Sequence, residues 1–113
     1  MFFQAPAYVQ APAYTDLTPA EAAAVIREGK AVLTDVREAS EYAESHIPGA
    51  VLLPLSVLSE KAGEVLPDSS VPVLVYCRSG VRSVKAAKIL ASMGYKEIYN
   101  LKGGFLAWPY ERT

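Results

Sequence analysis

Apolar and polar residues are grouped along the chain in a way that predicts short strands separated by helices. Strands are predicted at residues 31–36, 50–53, 71–76 and 97–100. The segment 71–76 gives the strongest signal, because it is an apolar, β-branched run without polar alternation. Such a run is typical of a strand that is covered on both faces, as in a parallel sheet.

Helical signals lie between the strands. Thr18-Pro19-Ala20-Glu21 forms a capping box with proline at the first helical position, and Gly29 is placed to end that helix. The other helical segments are predicted at 38–44, 55–65 and 81–93, with a last turn between 104 and 108. Strands alternating with helices indicate an α/β domain with a parallel sheet.

The first fifteen residues differ from the rest. Residues 4–8 and 10–14 repeat the sequence QAPAY, and proline favours extended backbone there. We interpret residues 1–15 as a tail, expected to be a flexible arm, although its aromatic residues could instead dock on a partner. Residues 16–113 are then the folded domain.

Composition and charge narrow the function classes. A length of 113 residues fits one domain, and a single cysteine excludes an internal disulfide, a CxxC redox pair and a four-cysteine zinc site. The net charge is −1, but residues 1–70 carry −6 and residues 71–113 carry +5. The positive charge around Cys77 is either a solvated helix face, which includes Lys85 and Lys88, or a field that attracts small anions. Without a long basic run or basic-aromatic interleaving, no nucleic-acid partner is expected.

The chain shows no membrane or secretion signal. No apolar run approaches the length of a membrane span, and no charged start precedes an apolar stretch. We therefore expect no membrane partner and a cytoplasmic location, or a periplasmic one if a signal has been removed.

Cys77 is the candidate nucleophile. It follows the predicted strand 71–76, at the edge where open α/β sheets bind ligands, and the loop after it leads into a helix N-terminus. The helix dipole and the nearby Arg78 and Arg82 should each favour a thiolate. A cysteine placed only for packing needs none of these features.

Each loop residue has alternatives. Gly80 allows a positive φ or close approach to a ligand, or is an ordinary turn glycine. Ser79 could donate to the sulfur or act as a loop or cap residue. Arg82 could face the anion, which we favour, or could pair with a carboxylate of the acidic half. Together with Arg78 and Val81, these residues form the predicted anion-binding loop.

Three further residues are predicted to give structural support. His46 is the one histidine, but we expect its ring nitrogens to bond to nearby backbone rather than to serve as a base. Asp35 and Arg37 flank a strand end, where bracing through a buried ion pair is expected rather than catalysis.

Three segments together resemble the rhodanese family of sulfurtransferases, in its single-domain form. Asp35-Val36-Arg37, Glu41-Tyr42 and 46–50 (HIPGA) resemble the N-terminal signature, 77–82 (CRSGVR) the active loop, and 103–108 (GGFLAW) the C-terminal signature. The resemblance covers about residues 17–109. It implies a rhodanese-like fold: a central, mostly parallel sheet of about five strands with helices on both faces.

The resemblance also implies a reaction. The Cys77 thiolate would attack the outer sulfur of an anionic donor such as thiosulfate, and a thiophilic acceptor, cyanide or a thiol, would remove the sulfur from the persulfide. A protein could also be the acceptor, and no metal or organic cofactor is needed.

Three other functions compete with this reading. Cysteine phosphatases and arsenate reductases place five residues between cysteine and arginine, whereas four separate Cys77 from Arg82. A non-catalytic regulatory module of the same fold often lacks the cysteine that is present here. A thiol redox sensor would need an intermolecular disulfide, because the chain has no second cysteine.

Overall fold

The structure is a computed structural model that describes residues 13–113. The first QAPAY repeat and the start of the second lie outside the described residues, so the interpretation of the tail stays a prediction. Within residues 13–113, no helix combines the length and apolar character that crossing a bilayer would take.

Five parallel strands form one sheet with the order β1-β5-β4-β2-β3. The strands are β1 (Thr15–Leu17), β2 (Val32–Asp35), β3 (Val51–Leu52), β4 (Val73–Tyr76) and β5 (Ile98–Leu101). The helices are α1 (Pro19–Glu28), α2 (Ala39–Glu44), α3 (Leu58–Val65), α4 (Val81–Ser92) and α5 (Gly104–Ala107). The predicted parallel α/β architecture with about five strands is confirmed.

The helices cover both faces of the sheet, as predicted. On one face, α3 and α4 pack against alternate residues of β4 such as Val73 and Val75. On the other face, residues of α1, α2 and α5 pack against Leu74 and Tyr76. All four residues of β4 are therefore buried, which explains its unbroken apolar sequence.

The α1 capping signals predicted the helix correctly. The Glu21 amide donates to Thr18 Oγ1 at 3.2 Å, the Thr18 amide donates to Glu21 Oε1 at 2.9 Å, and Gly29 ends the helix at φ +69°. Both ends thus satisfy backbone groups that the helix itself leaves unpaired.

Two elements differ from the sequence prediction. The edge strand β1 was not predicted; it starts at Thr15, one residue before our domain boundary, and gains its hydrogen bonds from β5. The predicted helix over 55–65 is a 3₁₀ turn at Leu55–Val57 followed by α3. The interruption lies at Val57, whose φ of −122° and ψ of 13° leave the helical region.

Candidate active site

Cys77 lies at the carboxyl end of the central strand. β4 pairs with β5 on one side and β2 on the other, and the chain leaves β4 and β2 in opposite directions across the sheet. This is the switch point where open α/β sheets form a ligand crevice. Cys77 follows β4 there, and Arg37 follows β2.

The loop after Cys77 turns back so that its own groups surround the sulfur. The Gly80 amide donates to Cys77 Sγ at 3.0 Å, and the Cys77 thiol donates to Ser83 Oγ at 3.4 Å. Gly80 has a φ of +113°, so the predicted positive φ is confirmed, and it is this backbone conformation that favours glycine. We call this arrangement of Cys77, Gly80 and Ser83 the sulfur cradle.

The Ser83 hydroxyl can serve both protonation states of the sulfur. It donates to the Gly80 carbonyl at 3.2 Å while it accepts from the thiol. When the thiol ionises, the sulfur loses its proton and becomes an acceptor only, and the freely rotating hydroxyl can turn to donate to it. The thiolate therefore keeps a partner in place.

Two opposing effects act on the pKa of Cys77. The residue is only 1% exposed, and this burial raises the pKa of the thiol. Hydrogen bonds from the Ser83 hydroxyl and from the backbone amides of Ser83, Gly80 and Ser79 act against burial, and the net result is a pKa below its ordinary value. The sulfur is buried, but polar donors face it.

Ser83 is the site residue that the sequence reasoning missed. The sequence analysis gave Ser83 no role, but it lies on the buried side of α4 together with Ala86, Ala87 and Leu90. A serine that starts an otherwise apolar i, i+3, i+4, i+7 stripe was the available signal. Its burial next to a cysteine is explained by the hydrogen bond to the sulfur.

Arg82 does not have the free guanidinium that direct anion binding favours. Its Nη1 and Nη2 atoms donate to Glu41 Oε1 and Oε2 at 2.7 and 2.9 Å. The Arg82 hydrogen bond lowers the pKa of Glu41 to about 2. The sequence analysis favoured an anion as the partner of Arg82, and this prediction is wrong. The ion pair matches the alternative, a carboxylate from the acidic half of the chain. The hydrogen bond to Glu41 is the main cause that raises the pKa of Arg82, and the negative charge of the Cys77 thiolate adds to it.

The other loop residues are accessible. Arg78, Ser79 and Val81 are exposed, and Ser79 contributes its backbone amide to the environment of the sulfur. Arg78 lines a cavity of about 290 Å³ together with Arg37, Phe105 and Arg112. The predicted anion-binding role of these loop residues stays a prediction.

Asp35 and Arg37 form a buried ion pair beside the loop. Arg37 Nη2 lies 2.7 Å from Asp35 Oδ2, Arg37 Nε donates to both carboxylate oxygens, and Nη2 also donates to the Ser45 carbonyl at 2.7 Å. The guanidinium lies 4.4 Å from the Phe105 ring centroid. These contacts join the ends of β2, α2 and α5, as expected of a brace.

His46 contacts backbone and an aromatic ring. Its Nδ1 lies 2.7 Å from the Tyr42 carbonyl, and its ring stacks on Tyr42 with centroids 3.7 Å apart. Its backbone exchanges two hydrogen bonds with Thr113. This is the structural environment that we predicted for the histidine.

Gly104 packs directly against the backbone of the cysteine loop, a role that the sequence analysis did not assign to it within the 103–108 signature. A Cβ at this position would lie 2.6 Å from the carbonyl oxygens of both Cys77 and Arg78. The amides of Phe105 and Leu106 donate to those same carbonyls at 2.8 and 3.0 Å. The consecutive glycines at 103–104 were the signal, since close backbone approach requires a residue without a side chain.

Comparison with known proteins agrees with this geometry. The sequence model of the rhodanese-like domain family matches residues 18–111. Over 95 residues the chain is 37% identical to the thiosulfate sulfurtransferase GlpE of Coxiella burnetii, a match that covers 84% of this chain and 87% of that protein. It is also 49% identical over 79 residues to the Bacillus subtilis protein YqhL, covering 70% of this chain and 61% of YqhL.

A solved structure has the same fold. The crystal structure of a rhodanese-related protein from Thermoplasma volcanium superposes with a TM-score of 0.78 at 27% identity, covering 88% of this chain and 98% of that one. An α/β domain with its cysteine loop at the switch point, matched over almost all of its described length, is a rhodanese-like domain. The chain belongs to that family.

Proposed function

We propose that this protein is a sulfurtransferase that carries sulfur as a persulfide on Cys77. The donor is thiosulfate or a similar anion with a transferable outer sulfur, and the acceptor is cyanide or a thiol. The sulfurtransferase relative at 37% identity supports this class of activity.

Each half-reaction balances with the residues present. In the first, the Cys77 thiolate attacks the outer sulfur of thiosulfate, the sulfur–sulfur bond of the donor breaks, and sulfite leaves with the electron pair. In the second, the acceptor attacks the outer sulfur of the persulfide, and Cys77 leaves as the thiolate. Covalent catalysis of this kind gives ping-pong kinetics.

One observation carries the proposal: the buried Cys77 sulfur accepts from the Gly80 amide at 3.0 Å and lies 3.4 Å from the Ser83 hydroxyl. Without hydrogen bonds, burial alone would raise the pKa of Cys77 and make it inert. The Gly80 amide is a preorganised donor, and the Ser83 hydroxyl can turn to donate to the thiolate; both contact the atom that becomes the leaving group in the second half-reaction.

The test is to incubate the protein with thiosulfate and measure its intact mass. We expect a gain of one sulfur atom, located on Cys77 by peptide mapping and removed by cyanide with formation of thiocyanate. Cys77→Ser should show no gain while its circular dichroism matches the wild type. Equal thiosulfate:cyanide turnover in the wild type and the variant would refute the mechanism.

A cysteine phosphatase is the competing enzyme class. The ion pair between Arg82 and Glu41 argues against it, because such an enzyme needs its loop arginine to hold a tetrahedral oxyanion. If the protein hydrolysed an aryl phosphate and gained no sulfur from thiosulfate, the phosphatase would replace the sulfurtransferase as the favoured function.

A further inference from the structure

A basic surface lies on the α4 side of the cysteine loop. A cavity of about 520 Å³ opens between this loop, α4 and the end of β5, and it is lined by Gly80, Val81, Lys85, Lys88 and Lys102, among others. We call the surface formed by Val81 and the three lysines the basic face. It is continuous with the sulfur cradle, because Gly80 both lines the cavity and donates to Sγ.

The three lysines carry charge that other described residues do not neutralise. Lys85, Lys88 and Lys102 are exposed, and none forms a salt bridge with a residue in the range 13–113. The acidic residue that lines the same cavity is Asp16, whose carboxylate accepts a hydrogen bond from Asn100 Nδ2 at 2.9 Å. The face therefore has a net positive charge.

The cavity on the other side of the loop differs in this respect. Arg37 and Glu41 line it and each has an ion-pair partner, while Arg78 and Arg112 share it with the carboxylate of Glu44. The α4 side has three lysines against one carboxylate, so it has the larger net positive charge and is the surface that better complements an acidic partner.

The size and composition of the basic face favour a macromolecule over a small anion. Its charges lie on adjacent turns of α4 and on the segment after β5, around a cavity of about 520 Å³ that is several times larger than an anion such as thiosulfate. Val81, an apolar residue 67% exposed, lies among them next to the loop. An apolar contact surrounded by a polar, accessible rim is the usual arrangement in a protein–protein interface.

We propose that the basic face docks a protein that carries its acceptor cysteine among acidic residues. This inference rests on the proposed function, and it identifies the partner of the second half-reaction. The partner's thiolate attacks the outer sulfur of the Cys77 persulfide, the bond to Sγ breaks, and the sulfur leaves as the partner's persulfide. That outer sulfur extends about 2 Å beyond Sγ.

The test compares acceptor peptides of equal length that contain one cysteine flanked by glutamate, by glutamine or by lysine. The protein is loaded with ³⁵S from labelled thiosulfate, and transfer to each peptide is followed at low ionic strength. We expect kcat/KM to be about tenfold higher for the glutamate peptide than for the glutamine peptide, and lower again for the lysine peptide. The preference should fall as salt is added.

The variant that tests the surface combines Lys85→Gln, Lys88→Gln and Lys102→Gln. Its ratio of glutamate-peptide to glutamine-peptide kcat/KM should fall to about one, because the charge recognised by the acidic peptide is gone.

The matched control combines Lys30→Gln, Lys61→Gln and Lys96→Gln, which change the net charge equally. Lys30 and Lys96 precede β2 and β5 at the opposite edge of the sheet, Lys61 lies on α3, and none lines the cavity. The control should keep the wild-type ratio.

The outcomes separate this inference from the proposed function. A protein that gains no sulfur from thiosulfate refutes the proposed function. A protein that loads normally but shows no glutamate preference, or loses it equally in both triple variants, overturns only the docking inference. The inference also fails if the basic-face variant raises the KM for thiosulfate while the peptide ratio is unchanged, since the lysines would then serve the small anion.

Discussion

Two groups of polar residues around the cysteine loop have different roles, one in contact with the sulfur and one in ion pairs beside the loop. The sulfur cradle uses uncharged groups that contact the Cys77 sulfur directly: the Gly80 amide donates to it, and the Ser83 hydroxyl accepts from the thiol. The ion-pair frame, which we define as Asp35–Arg37 and Glu41–Arg82, fixes charges around the loop. The comparison teaches that a buried thiol can have a lowered pKa without a charged side chain bonded to it.

The contrast predicts that the frame controls stability and the cradle controls reactivity. Substitutions can test this separation, because the chain has one cysteine and thiol alkylation reports on a single site. The predictions below run from the largest expected effect to the smallest.

Asp35→Asn should be the most destabilising change. It leaves the Arg37 guanidinium buried without its carboxylate, and breaking a buried ion pair from one side costs about 3–5 kcal/mol. Urea unfolding measures this loss. The double variant Asp35→Leu with Arg37→Met should recover most of it, because no unpaired charge stays buried. A large drop in the alkylation rate of folded Asp35→Asn would contradict the separation.

Gly104→Ala should lower the free energy of unfolding by about 3 kcal/mol, because the added methyl group causes overpacking and backbone strain. Its Cβ would meet the carbonyls of Cys77 and Arg78 at 2.6 Å, and its φ is +63°. Gly63→Ala is the control, because Gly63 lies in α3 with no atom within 4 Å of an added Cβ. That control should gain about 0.5–1 kcal/mol in the free energy of unfolding. Equal effects of the two substitutions would show that α5 does not support the loop.

Ser83→Ala should slow alkylation of Cys77 at neutral pH by about tenfold. The variant removes the hydroxyl that helps to lower the pKa of Cys77, and a hydrogen bond to a charged group contributes about 1.5–3 kcal/mol. The pH dependence of iodoacetamide alkylation should shift to higher pH.

Ser79→Ala is the matched control for this test. Ser79 acts on Cys77 through its backbone amide, which alanine keeps, so the alkylation rate should change less than about twofold. A tenfold loss in Ser79→Ala would instead support the side-chain contact that the sequence reasoning considered.

Glu41→Gln should have the smallest effect on stability, about 0.5–1 kcal/mol, because the pair with Arg82 is partly exposed. The pKa of Glu41 is lowered to about 2 from 4.5. A depressed carboxyl pKa stabilises the fold above pH 4.5, and this contribution is lost as pH falls from 4.5 to about 2. As the pH falls from 4.5 to about 2, the free energy of unfolding should decrease less in Glu41→Gln than in the wild type. If both proteins lose the same free energy over this range, the effect assigned to the Glu41–Arg82 pair is contradicted.

The sequence by itself determined the fold class and the place of the candidate nucleophile in the fold. The capping box at Thr18 and the apolar run of β4 are local signals. Capping depends on residues three positions apart, and burial is indicated by the spacing of apolar residues along the chain. The position of Cys77 between that strand and a helix followed from the same signals. The positive φ of Gly80 could be predicted as well, since few other residues fit such a turn.

Only the tertiary structure decided which groups meet across the chain. Arg82 and Glu41 are 41 positions apart, so no local pattern could choose between a carboxylate and an anion as the partner of Arg82. The edge strand β1 exists because β5 pairs with it, and the face of α4 that turns Ser83 to the sulfur depends on how the helix packs on the sheet. Long-range pairing and helix rotation follow from packing, which the linear sequence constrains only in part.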